Sequence, residues 1–115
     1  MYHLYGLGNC DSSRRARRAL EARGVPFTSH DVRRDGVTAT LLDDWIEQVG
    51  IDTLINRRGR TWRMLTESDR ALAETADLRA LLIREPTLIQ RPVLIDPDGT
   101  VHVGKAALAL AEPPA

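Results

Sequence analysis

The sequence predicts a mixed α/β fold in which a βαβ half and a ββα half are separated by a purely helical insertion. Three observations lead there. A short apolar segment at the start passes through a well-capped amphipathic helix into a second extended segment. The middle of the chain shows apolar residues at helical spacing only. Near the end, two β-branched runs flank a turn rich in proline and glycine.

Taken in order, Tyr2 to Tyr5 reads as a strand and Gly6 to Asn9 as a loop. Asn9, Asp11 and Ser12 are all good N-cap residues for the helix that follows, Ala16, Ala19 and Leu20 give it an apolar stripe, and Gly24 stops it. Cys10 therefore lies at or beside a helix N-terminus. Val25-Pro26-Phe27 opens a second extended segment toward Asp31 and Val32, and strand, helix, strand suits a parallel crossover. Leu41, Leu42, Trp45, Ile46 and Val49 recur at helical spacing before Gly50, and Asp52 to Ile55 suggests a short turn. Arg57-Arg58-Gly59-Arg60 is a polar loop. Leu72, Leu78, Leu81, Leu82 and Ile83 support one or two further helices ending near Pro86, with Trp45 and Trp62 expected in the core. Val93-Leu94-Ile95 and Val101-His102-Val103 then flank Asp96-Pro97-Asp98-Gly99 as an antiparallel hairpin, and Ala106 to Ala111 forms a last helix.

Size and charge narrow the classes. The chain has 115 residues, enough for a single domain over 1–115 with its insertion at about 38–90 and too few for two ordinary domains. Sixteen basic and sixteen acidic residues cancel, and aromatics are few, which argues against direct nucleic-acid binding by bulk electrostatics or base stacking. No apolar run approaches a membrane span and no signal pattern follows Met1, so no membrane partner and a cytoplasmic location are expected. One cysteine cannot form an internal disulfide, which also fits a reducing compartment. His3, His30 and His102 show no metal-ligand spacing, and no metal is expected.

The lone cysteine carries the chemistry. A thiolate is the reactive form, and a helix N-terminus offers N–H donors and the equivalent of about half a positive charge to stabilise it. Arg14, one turn on, is expected to add charge, against the adjacent Asp11. Cys10 is thus expected to be accessible and to titrate below the ~8.5 of a free thiol. Arg91 sits between Leu88-Ile89 and Pro92-Val93, where a guanidinium needs a cleft or a partner; anion binding and a structural ion pair both suit it.

The element order resembles the thioredoxin-like arrangement with an insertion between its halves. Three stretches make the likeness more specific: "LYGLGNCDSSRRARRAL" from Leu4, "LINRRGRTWR" from Leu54 and "LIQRPVLIDPDG" from Leu88. Together they resemble the ArsC/Spx/YffB family, which includes glutaredoxin-linked arsenate reductases, with the YffB-like branch most similar. The resemblance implies Cys10 as nucleophile, Arg14, Arg57 and Arg91 as substrate or anion ligands, and a cis peptide before Pro92. It also implies a thiol-dependent oxidoreductase acting on a small oxidised or oxyanion substrate, with no tightly bound cofactor and with glutathione or another thiol as co-substrate.

Departures from the pattern are informative. The arsenate reductases resemble this chain around Cys10 but carry a histidine where Gly6 stands; Asn56 and Gly104 replace family arginines, with Arg57 and Lys105 beside them. These changes argue against arsenate itself. The Spx branch typically carries Cys-x-x-Cys, whereas Ser13 occupies the second position here. An external thiol must then complete any cycle. The alternative reading is a non-catalytic, Spx-like adaptor that contacts RNA polymerase or another protein.

Overall fold

The computed structural model describes residues 1–112, so the last three residues of the expected 1–115 domain lie outside the described residues. The chain divides into two compact units, one formed by Met1–Asp35 with the segment from Arg91 onward, the other by Gly36–Gln90.

The first unit holds the sheet. Strand β1 (Tyr2–Gly6) leads through helix α1 (Asp11–Arg23) to β2 (Phe27–Asp31) and a short helix α2 (Val32–Asp35). After the insertion come β3 (Val93–Ile95), β4 (Val101–Val103) and a C-terminal helix (Lys105–Ala111). The strand order is β2-β1-β3-β4, with β1 parallel to β2 and both other pairs antiparallel. Leu4 on β1 and Leu94 on β3 are direct partners and point to one face. There they pack with Ala16 and Leu20 of α1 and with Ala107 and Ala111 of the C-terminal helix. The three alanines keep the helices close, so this core tolerates little added volume.

Local signals account for the element ends. Gly24 closes α1 in the left-handed conformation with φ 69°, a value that favours glycine. The turn between β3 and β4 is organised by Asp96, whose Oδ1 accepts from the N–H groups of Asp98 and Thr100, and Gly99 completes it at φ 87°. At the end of the C-terminal helix, the Arg23 guanidinium donates to the carbonyls of Leu110 and Ala111, a cation on the negative end of that helix.

The second unit is helical. Helix α3 (Ala39–Val49) is capped by Thr38, whose hydroxyl accepts from the Leu41 N–H. It is followed by α4 (Ile51–Leu54), α5 (Arg60–Met64), α6 (Glu67–Leu72), α7 (Leu78–Arg84) and a single 3-10 turn (Pro86–Leu88). Leu42 and Trp45 of α3 are buried, as are Leu78, Leu81 and Leu82 of α7. An isolated bridge joins Ile55 to Ile89, flanked by hydrogen bonds from Asn56 N–H to Leu88 and from Gln90 N–H to Leu54. Trp62, expected in the core, is only half-buried: Arg57 and Arg70 lie over its ring at 5.5 and 6.0 Å. Its indole serves as a platform for cations. The short helix α2 was not anticipated; Asp31 creates it by accepting from the N–H groups of Arg33 and Arg34, an N-cap arrangement.

Candidate active site

Cys10 is itself the N-cap of α1, with extended backbone at φ −102° and ψ 125°, in place of the expected Asn9, Asp11 or Ser12. The sulfur is half-buried and free of any disulfide. Ser12 Oγ lies 3.2 Å from it. The buried Ser13 is fixed from behind, because its Oγ accepts from the Leu7 N–H at 3.2 Å. That leaves the hydroxyl hydrogen to donate elsewhere.

These neighbours decide the thiol's ionisation. Burial pushes the Cys10 thiol up, but hydrogen bonds from the Ser12 hydroxyl, from the Ser13 hydroxyl and N–H, and from the Arg91 guanidinium outweigh it and bring the thiol down to about 6. The expected direction is right, and the expected helix N–H donor is present in Ser13, but Arg14 is not a contributor. Arg14 is turned onto Asp11 in an i, i+3 ion pair, so the two charges nearest the sulfur in sequence neutralise each other. Arg91 supplies the positive charge instead. It enters on the segment just before β3, and its bond to Pro92 is cis.

Gly6 has a steric cause in this arrangement. A Cβ built on it would lie 2.3 Å from Ser13 Oγ and 2.7 Å from Ser13 Cβ. A side chain at position 6 and Ser13 in its present place exclude one another. Ser13, which the sequence marks only as standing where the Spx branch carries its second cysteine, is a donor to the thiol. The available signal was the pair of hydroxyls in the first turn after a cysteine, next to a glycine on the preceding strand.

The remaining candidates are placed differently. Arg57, in the second unit, donates to Asp52 Oδ1 at 2.9 Å, reaches Glu74 at 3.5 Å and covers Trp62. His3 Nδ1 and His30 Nε2 face each other at 3.3 Å, and His30 stacks on Tyr5 with ring centres 4.3 Å apart. Burial and His3 hold His30 below its ordinary value, against Asp35. Among the described residues no group of three or more potential ligands could hold a metal ion.

The ArsC family pattern matches residues 5–111, from the strand ahead of Cys10 to the end of the C-terminal helix. The chain belongs to the ArsC family. Family relatives lie on both sides of the functional question. An uncharacterized protein of Haemophilus influenzae is 34% identical over 104 residues, covering 90% of each chain. The global transcriptional regulator Spx of Bacillus subtilis is 31% identical over 102 residues, 84% of this chain and 74% of the regulator. Among solved structures, the YffB protein superposes with a TM-score of 0.82 at 33% identity over 96% of both chains. An arsenate reductase (ArsC) related protein from Brucella melitensis gives 0.70 at 38% identity, covering 90% of this chain and 85% of its own. The ArsC-family fold is thus the mixed α/β arrangement expected from the element order. No helix among the described residues is long and apolar enough to cross a membrane.

Proposed function

We propose that the protein is a single-cysteine thiol reductase that uses Cys10 as nucleophile and glutathione as the resolving thiol. The observation that carries this reading is the thiol held at about 6 by two serines and Arg91. At neutral pH such a sulfur is mostly thiolate, whereas an ordinary thiol near 8.5 is mostly protonated.

The chemistry follows from the residues present. The Cys10 thiolate attacks one sulfur of an oxidised disulfide substrate; the new S–S bond forms as the old one breaks, and the other half leaves as a thiolate. The mixed disulfide has no second cysteine in this chain to resolve it. Glutathione thiolate attacks it, regenerating Cys10 and carrying away the oxidised half as a disulfide. Arg91 favours anionic sulfur in each step and offers a donor pair to a glutathione carboxylate. The replacement of the family histidine by Gly6 and the pairing of Arg14 with Asp11 weigh against arsenate as the substrate.

A second reading rests on the Spx relatives, which are named global transcriptional regulators. In it the chain is a protein adaptor that touches RNA polymerase and turns nothing over. One experiment separates the two: reduction of a glutathione mixed disulfide by the wild type and by Cys10→Ser. A reductase loses activity entirely with the serine. An inactive wild type, with polymerase binding kept by Cys10→Ser, establishes the adaptor.

A further inference from the structure

The first unit contains a cleft that Cys10 does not line. Its volume is about 260 Å³, and its walls include Arg14 and Arg17 from α1, Arg34 from α2, and Ser13, Gly8 and Asp31. Three arginines thus contribute to its walls. Their carboxylate partners stand outside the walls: Asp11 for Arg14, Glu21 at 3.8 Å for Arg17, and Asp35 for Arg34. The side chain of Asp11 is 95% exposed and that of Glu21 is 59% exposed. Such solvent-facing pairs contribute little, so the guanidiniums exchange readily onto a better-placed anion. Asp31, the carboxylate on the wall, is already engaged. Its Oδ1 accepts from the Arg33 and Arg34 N–H groups and its Oδ2 from the Gly8 N–H, which braces the loop before Cys10 against α2.

We propose that this cleft binds a small multivalent oxyanion, an organic carboxylate or a phosphate, and that its occupant restrains the reactivity of Cys10. Two residues connect the cleft to the sulfur. Ser13 lines the cleft and also donates to Cys10, so an anion that takes its hydroxyl hydrogen removes a donor from the thiolate. Arg14, drawn from Asp11 toward the ligand, leaves a bare carboxylate next to Cys10. Both changes disfavour the charged sulfur. The inference stands whichever thiol resolves Cys10.

The test is a titration of the full chain with citrate, and separately with inorganic phosphate, at fixed ionic strength. Backbone amide signals of Gly8, Ser13 and Arg34 are expected to shift saturably. The double variant Arg17→Gln/Arg34→Gln is expected to bind at least about tenfold more weakly, the loss of roughly one charge-assisted hydrogen bond. Arg18→Gln/Arg33→Gln removes the same charge from exposed residues that do not line the cleft and is expected to bind normally. Near pH 6, saturating anion is expected to slow iodoacetamide labelling of Cys10 in the wild type and not in Arg17→Gln/Arg34→Gln. Shifts that never saturate, or equal weakening in the two double variants, overturn the site. Undiminished labelling with the cleft saturated overturns its link to Cys10. Binding of citrate alone assigns carboxylates, and binding of phosphate alone assigns phosphates.

Discussion

Replacing Ser13 by alanine isolates one contributor to the thiolate while leaving the helix and Arg91 in place. The hydroxyl does two jobs, accepting from Leu7 N–H and donating to Cys10. A hydrogen bond to a charged group is worth about 1.5–3 kcal/mol, and one pH unit of titration corresponds to about 1.4 kcal/mol. The Cys10 midpoint, about 6 in the native chain, is therefore expected to rise by at least about one pH unit in Ser13→Ala. Leu7 N–H loses its acceptor as well, so thermal stability falls, by about 1–3 kcal/mol. The assay is thiolate absorbance against pH, supported by the pH profile of iodoacetamide labelling. Because a more basic thiolate is intrinsically more nucleophilic, the labelling plateau at high pH is expected to rise about threefold even as the midpoint moves up. An unmoved midpoint in a folded variant would refute Ser13 as a donor to the sulfur. A uniform loss of rate at every pH would point to a packing defect instead.

Other perturbations follow from the same geometry. Gly6→Ala places a Cβ against Ser13, so the variant is expected to lose about 1–3 kcal/mol of stability and to raise the Cys10 midpoint, checked by thermal melting and thiolate absorbance. Arg91→Ala is expected to raise the midpoint and slow formation of the glutathione adduct, while Arg14→Ala raises it less, and only by leaving Asp11 unpaired beside the sulfur. A midpoint that responds to Arg14 and ignores Arg91 reverses the assignment. Stability also depends on pH through this thiol. Its folded value, about 6, lies below the unfolded ~8.5, so its contribution is complete above about 8.5 and is lost as pH falls through 6. The stability difference between wild type and Cys10→Ala is accordingly expected to move in favour of the wild type from pH 6 to 8.5 in urea melts.

How much of this was legible in the sequence depended on the range of the forces involved. The hairpin Val93–Ile95 and Val101–Val103 emerged as expected because Asp96 and Gly99 set its turn locally. Helix α1 was legible for the same reason, through its apolar spacing and its Gly24 C-cap, although its N-cap is Cys10 itself and none of the expected residues. Arg14 departs from its expected role because Asp11 acts as its partner and not only as a charge beside the sulfur. Trp62, expected in the core, is half-buried with Arg57 and Arg70 over its ring, a pairing between residues that no local pattern reports. The role of Ser13 depends on the distance between β1 and α1, which makes Gly6 necessary. No periodicity reports such a distance.

As a nucleophile, Cys10 must be resolved by a thiol from outside the chain. Intact mass of the native protein after incubation with oxidised glutathione tests it most directly. A single glutathione adduct is expected, located on Cys10, fully reversed by reduced glutathione, and absent in Cys10→Ser. No adduct, in a protein whose Cys10 still reacts with iodoacetamide, would rule out glutathione as the resolving thiol.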